Sequence, residues 1–372
     1  MGASTHRVIQ WGTGNTGQRA LREVIRDPAL ELVGVLVYDP AKDGVDAGEL
    51  CGEPATGILA TTNRDNVLAL DADCCVYMPR ATGSGQTRAG LSEQELVDDV
   101  VALLQAGTSV VTTCTDLFAK GARLTDDNRA RVLKACAHGG AAVWASGSDP
   151  GFITETLVLA LLSVQRRVDL IEIEEFGDLS GRPSRHMVID QMRFGKPLED
   201  FDPDRRKNHL FGEYQPALTV LADIAGLNID EWTAEGGVAA AKEDLHIAAG
   251  EILAGTAAAQ RIIINGRNRG TDRIRFIQYG FVAMDTEPDW GLQPTGWRVR
   301  VHGDAPLDLS MPFPVPLEEL ASVVPAFNAN GLVNAIPYVC ASAPGILTTE
   351  ELPHILARGP HPAGRPRSYP DG

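Results

Sequence analysis

The sequence predicts an α/β protein, with a doubly wound parallel sheet at its N-terminal end and an α+β second domain built on a mostly antiparallel sheet. Three observations predict it. Strand-like and helix-like segments alternate from His6 to about Ala145, a glycine-rich turn joins the first strand to the first helix, and beyond Gly151 the rhythm changes to β-rich stretches punctuated by turn residues. With 372 residues the chain exceeds one ordinary core. The expected domains are 1–150, rejoined by a returning segment 325–350, and 151–324, with an irregular Pro-, Gly- and Arg-rich tail over 351–372.

Each element has its own justification. HRVIQW (6–11) is a short apolar strand, and Ala20, Leu21, Val24 and Ile25 recur at helical spacing behind it. LELVGVLVY (30–38) is the second strand and ends on Asp39-Pro40; a short strand is expected at Gly57–Thr61 and a strongly apolar one at Cys74–Met78. Ser92-Glu-Gln-Glu95 is a capping box for a helix over Glu93–Ala106, and Gly107 stops it. A strand at Ser109–Cys114, a helix over Asp126–Ala137 and a strand at Ala141–Ala145 complete the alternation. An apolar helix is expected to begin near Ile153.

In the second half, DLIEIEEF (169–176) alternates apolar and acidic residues, as suits a strand with one wet face. A helix over Gly212–Ala225 and strands at Asp230–Ala234, Ala257–Asn265, Arg273–Met284 and Trp297–His302 follow, separated by turns such as Asn265-Gly266. NGLVNAIPYVCASA (330–343) reads as helical up to Pro337 and as the segment that returns to the first domain. A large sheet face is expected to be covered by a second copy, giving a homodimer.

The strongest signal is Gly12-Thr13-Gly14-Asn15-Thr16-Gly17. In such a turn the first glycine makes the bend, the second lets the backbone approach a pyrophosphate, and the third lets helix pack on strand. A strand before it, a helix after it and a carboxylate, Asp39, at the end of the next strand identify a Rossmann-type site for NAD or NADP. Asp39 would accept the ribose hydroxyls, or else serves only the turn before Pro40. Lys42 is close enough in sequence to meet a 2′-phosphate, so the choice between the two cofactors stays open. Pro79 and Arg80, after the Cys74–Met78 strand, join this site.

Composition narrows the alternatives. A net charge of −16 argues against nucleic acid or an anionic membrane surface as partner. No apolar run approaches the roughly 18 residues of a membrane span. The N-terminus has no leader pattern, so a cytoplasmic location is expected. The 6 cysteines and 8 histidines form no CxxC, HxxxH or HExxH pattern, so reduced thiols and no metal are expected.

In an open parallel sheet, ligands sit beyond the carboxyl ends of the strands. The loops there are Met78–Gly83, Thr113–Leu117 and Ser146–Phe152. Asp116 is the candidate acid/base, since a carboxylate largely out of water beside a nicotinamide ring would have a raised pKa; capping a short turn is the alternative. Asp149 and Glu155 read as a turn former and a helix-dipole partner. Thr115, Trp144, Phe152 and His186 are the candidate substrate-pocket residues, with core packing or a structural histidine as their alternatives.

QWGTGNTGQRAL (10–21), DAGELCG (46–52), VVTTCTDL (110–117), SGSDPGF (146–152) and LVNAIPYVCASAPGI (332–346) together resemble the dihydrodipicolinate reductase-like superfamily, and within it the 2,4-diaminopentanoate dehydrogenase and native amine dehydrogenase branch. The resemblance spans about residues 7–347. It implies reductive amination of a small ketone or aldehyde with ammonia by NAD(P)H, or the reverse deamination. The branch's key glutamate follows the cysteine of the CTDL-type loop; here that stretch reads Cys114-Thr115-Asp116, one methylene shorter. Only Arg185-His186-Met187 stands where dihydrodipicolinate reductases carry a histidine-rich strand and loop, so the resemblance does not extend to that reaction. Two rival readings are a plain NAD(P)-dependent carbonyl or alcohol dehydrogenase and a non-catalytic dinucleotide sensor.

Overall fold

The computed structural model describes residues 5–79, 90–121 and 123–357. In chain order, β1 (His6–Trp11), α1 (Asn15–Arg26), β2 (Leu30–Leu36), α2 (Ala47–Cys51), α3 (Arg64–Leu68), β3 (Cys74–Tyr77), α4 (Glu93–Gln105), β4 (Ser109–Thr112), α5 (Thr115–Phe118), α6 (Asp126–Gly139) and β5 (Ala142–Ala145) form the first series. Then come α7 (Leu157–Leu162), β6 (Val168–Asp178), α8 (Pro203–Ile224), β7 (Glu231–Ala241), β8 (Leu245–Ile247), β9 (Gly250–Ile252), β10 (Ala257–Asn268), β11 (Thr271–Phe281), β12 (Thr286–Glu287), β13 (Gly296–Gly303) and β14 (Leu307–Pro312). The chain returns through α9 (Leu317–Cys340) and β15 (Gly345–Leu347).

Two compact units result. One holds the described residues up to Phe152 and those from Ser322 on; the other is Ile153–Ala321. The first contains a six-stranded sheet in the order β15-β5-β4-β3-β1-β2, parallel throughout. Alternation along the buried strands feeds a core on each face. Cys75 and Tyr77 of β3 face the cluster that includes Leu96 and Leu104 of α4 and Val132 of α6. Cys74 and Val76 face Ala20 and Val24 of α1 and Leu332 and Ile336 of α9. The adjacent cysteines therefore point to opposite faces.

The second unit is built on a mixed, mostly antiparallel sheet in the order β12-β7-β10-β11-β6-β13-β14. Its single parallel pair is β6 with β11. The alternation of β6 sends Ile171 and Ile173 into a core with Tyr214, Leu218 and Leu221 of α8. Glu172 and Glu174 take the other face, where Arg275 and Arg300 pair with them.

Several elements differ from the sequence expectation. Gly57–Thr61 is not a full strand: it makes an isolated bridge between Thr61 and Leu36 and another between Leu59 and Asp46. Its backbone is spent on the preceding loop, through Gly44 to Ala60, Ala60 to Val45 and Ala47 to Ile58 hydrogen bonds. The helix expected at Gly212 begins at Pro203, nine residues earlier, in a polar stretch without apolar periodicity. Proline at a helix's first position lacks an N–H that would have no partner there anyway. α9 runs through both Pro325 and Pro337. Ala329, Leu332, Val333, Ile336 and Val339 bury one helical face of it, which outweighs the breaks. The helix expected near Ile153 is present: it follows a kink with non-helical dihedrals at Asp149, Pro150 and Gly151 and runs on into α7.

Candidate functional site

The glycine turn is shaped from below by a residue that carries no motif. Buried Gln10 donates from Nε2 to the Gly12 carbonyl at 2.8 Å. Gly12 has φ +93, and a Cβ there would stand 2.4 Å from the Met78 carbonyl oxygen. A Cβ on Gly17 would stand 2.1 Å from the Gly12 oxygen. Both glycines are therefore required by backbone contact. Gly14 is the opposite case: a Cβ there would meet nothing within 4 Å. Its openness is what a ligand approaching the backbone needs.

α1 also begins without protection. Gly14 is its N-cap, with no side-chain cap and no acidic residue in the first turn. The other described helices of eight or more residues open on acids: Glu93 and Glu95, Asp126 and Asp127, Asp204, and Glu318 and Glu319. Amide donors and the positive end of the dipole at α1 thus face outward unneutralised, which fits a pyrophosphate.

The loop after β2 lies beside this turn. Asp39 is exposed, and its Oδ1 accepts from the Ala41 amide at 3.0 Å, capping the short turn Pro40–Lys42. Lys42 reaches back to the glycine turn, its Nζ 2.8 Å from the Thr13 carbonyl and 3.2 Å from the Thr13 hydroxyl. Tyr38, 47% exposed, accepts at its hydroxyl from Trp11 Nε1 at 2.7 Å. It walls a cleft of about 460 Å³ with Trp11, Leu36, Thr62 and Arg64. The DAGELCG run is a brace: Asp46 caps α2 and accepts from the amides of Thr56 and Gly57.

Strand order sets the remaining loops side by side beyond β3, β4 and β5. Pro79 follows β3, with Met78 against Gly12. Arg80 lies outside the described residues. Asp116 sits in the first turn of α5, whose N-cap is Cys114, with no side-chain cap hydrogen bond. Its Oδ2 is 3.6 Å from Arg123 Nη1. Burial pushes its pKa up, while Arg123 and the amides of Leu117 and Asp116 itself pull the other way and Glu93 adds to the rise. Thr115 beside it is buried.

The third loop is fixed by a residue nearly two hundred positions away in sequence. Asn328 of α9 accepts at Oδ1 from the Ser148 amide at 2.8 Å and the Ser148 hydroxyl at 2.9 Å. Gly147 and Gly151 allow the close turns there, since a Cβ on Gly151 would stand 2.7 Å from Ser146 Oγ. Trp144 is 2% exposed and packs in the core against α9, so its ring is part of the scaffold beneath this loop. Phe152, by contrast, is 40% exposed. His186 belongs to the other unit, where it is exposed and 3.7 Å from Asp190.

Thus the first unit brings together Gly12–Gly17, Asp39, Pro79, Thr115 and Asp116 along one sheet edge. Sequence reasoning missed Gln10 and Asn328. Gln10 had a readable signal, a polar residue inside an apolar strand next to the glycine turn. Asn328 had none in its own neighbourhood. Among the described residues no group of three or more potential metal ligands occurs, and no helix is long and apolar enough to cross a membrane.

Comparison with known proteins bears on the family and the fold. Residues 152–359 match the model of the 2,4-diaminopentanoate dehydrogenase C-terminal domain. An amine dehydrogenase of Streptomyces virginiae is 28% identical over 353 residues, 93% of this chain and 95% of that protein. The solved amine dehydrogenase of Mycobacterium smegmatis shares the fold, with a TM-score of 0.70 at 19% identity over 95% of this chain and 98% of that one. A probable dehydrogenase of Thermotoga maritima superposes with a TM-score of 0.52 at 11% identity, over 93% and 92% of the two chains. With the domain match covering more than half of its length, this chain belongs to the 2,4-diaminopentanoate dehydrogenase family.

Proposed function

We propose that the protein is an NAD(P)-dependent amine dehydrogenase, acting at the carbon of a small amine or of the imine formed from a ketone or aldehyde and ammonia. In the reductive direction, carbonyl, ammonia, NAD(P)H and a proton give amine, NAD(P)⁺ and water. Family membership supports the enzyme class, and the uncapped, acid-free start of α1 behind Gly14 is the observation that carries the cofactor.

The cofactor, when bound, supplies or takes the hydride. The chain's own residues do the rest. The amides at the start of α1 hold the pyrophosphate, and the oxygen of Asp39 not used by Ala41 takes the ribose hydroxyls. Asp116 accepts and returns the proton at Oδ1, while Arg123 holds Oδ2. Its raised pKa brings it closer to the protonation balance an acid/base needs. A carboxylate there also stabilises a cationic iminium, an attraction that strengthens as water is excluded. Thr115 and Phe152 are the proposed substrate contacts of the first unit, and Trp144 supports the loop above it.

The working assembly is proposed to be a homodimer through the sheet face that carries Glu172 and Glu174. Their charges are matched by Arg275, Arg298 and Arg300, a compensated face that suits a second copy. Light scattering reads its mass directly. A cytoplasmic location suits the six thiols, all free.

The function is tested by mixing the enzyme with NADH or NADPH, a panel of ketones and aldehydes, and ammonium. Cofactor loss that requires ammonium is expected. Loss that is indifferent to ammonium would make it a carbonyl reductase, and no turnover with tight cofactor binding would make it a sensor.

A further inference from the structure

Of the six cysteines, Cys340 is half-buried and the rest are buried. Cys340 is the last residue of α9, and Cys74 is the first of β3. Both belong to one face of the parallel sheet, where Cys340 packs against the cluster that holds Cys74, Ile336 and Val339. The Cys74 thiol is hydrogen-bonded to Cys340. Cys340 Sγ in turn donates to the carbonyl of Asp73, the residue before Cys74, at 3.5 Å. The other thiols are placed elsewhere. Cys75, Cys114 and Cys136 lie in the core on the opposite face of the sheet, and Cys51 lies in a separate cluster.

From this juxtaposition we propose that Cys74 and Cys340 form an oxidative modification site: a hydroperoxide converts the two thiols to a disulfide that staples the end of α9 to the start of β3. The order of events follows from exposure and protonation. Thiolate is the nucleophile, and the hydrogen bond to Cys340 together with burial pushes the Cys74 pKa up, so Cys74 stays protonated. Half-buried Cys340 therefore meets the oxidant. Its sulfur, having released its proton, attacks one peroxide oxygen. The S–O bond forms, the O–O bond breaks, and the leaving hydroxide takes up a proton and departs as water. Cys74 then attacks the Cys340 sulfur. The S–S bond forms, the S–O bond breaks, and the second hydroxide leaves as water with the Cys74 proton. Two thiols and hydrogen peroxide become one disulfide and two waters, with sulfur oxidised and the peroxide oxygens reduced. The ring closed in this way contains the whole of Ile153–Ala321, the second unit. A link of that span restrains the chain strongly, because the returning segment can no longer part from β3.

The full chain, treated with hydrogen peroxide, alkylated in denaturant and digested without reductant, tests this by mass spectrometry. One peptide pair joined through Cys74 and Cys340 is expected, lighter by two hydrogens than the two peptides together, and dithiothreitol should separate it. Cys340→Ser changes little at a half-buried position and should abolish the pair. Cys74→Ala should leave Cys340 as a sulfenic acid, which a dimedone tag traps. In the oxidised protein, amide exchange in β3 and in the last turn of α9 should slow by about tenfold or more, and in Cys340→Ser it should not change. Both thiols recovered reduced, Cys340 carried to sulfinic acid with Cys74 still free, or a link between two chains would overturn the proposal. A disulfide that leaves exchange in α9 and β3 unchanged would overturn the staple.

Discussion

Gly14 and Gly17 belong to one motif and yet answer to different physics. At Gly17 a Cβ would collide with the Gly12 carbonyl, so Gly17→Ala must push strand and helix apart. At Gly14 a Cβ meets open space, so Gly14→Ala should leave the fold intact and weaken only the ligand. Thermal melts and cofactor titrations of the two variants should separate: Gly17→Ala loses stability and binding together, Gly14→Ala binding alone. Overpacking of this kind costs typically 1–3 kcal/mol. Equal melting temperatures for both variants would contradict this account of the turn.

Asp116 carries a second residue-scale prediction. Its folded pKa is raised above the ordinary carboxylate value, chiefly by burial. The folded state therefore holds its proton more tightly than the unfolded chain does. The associated stability is fully present below the unfolded pKa and is lost as pH rises through the folded one. Asp116→Asn removes that dependence, so its melting temperature should gain on that of the unmodified protein as pH climbs through the carboxylate range. If Asp116 is the acid/base, the same substitution should lower kcat by about 10²–10⁴-fold. A variant that keeps full activity would remove the residue from the chemistry.

At the scale of elements, α9 has two tasks. Its apolar face seals one side of the parallel sheet, and Asn328 on it holds the loop after β5 by two hydrogen bonds to Ser148. Asn328→Ala leaves the buried Ser148 donors without that acceptor, at a cost of about 1–3 kcal/mol. Local amide exchange over Ser146–Phe152 should rise while exchange in β3 and β4 stays slow, which mass spectrometry can resolve. Uniformly faster exchange across the sheet would show that α9 matters here only as packing.

For the whole molecule, the two units have separate hydrophobic clusters, one pair flanking the parallel sheet and another beneath the mixed sheet. Denaturant unfolding should accordingly show two transitions. The proposed dinucleotide residues lie in the first unit, so cofactor at a hundredfold over Kd should stabilise one transition by about 2.7 kcal/mol and leave the other in place. A single transition that shifts as a whole would mean that the units unfold as one.

Much of this was legible along the chain because it depends on near neighbours. The glycine turn, the capping box at Ser92 and the alternation of Ile171 to Glu174 are set by contacts within a few residues, and period and turn chemistry record those directly. Asp116 and Asp39 were readable as carboxylates at strand ends, since strand order alone brings such ends to one edge. What the sequence by itself determined, then, is the alternating architecture, the phosphate-binding turn and the family. The tertiary structure decided the rest: Asn328 gripping Ser148, Lys42 anchored on Thr13, Gly57–Thr61 spending its backbone on a loop, and a helix carried through Pro325 and Pro337 by burial. Each of these is a balance between a local preference and a distant contact, and a distant partner leaves no periodic trace in the residues beside it.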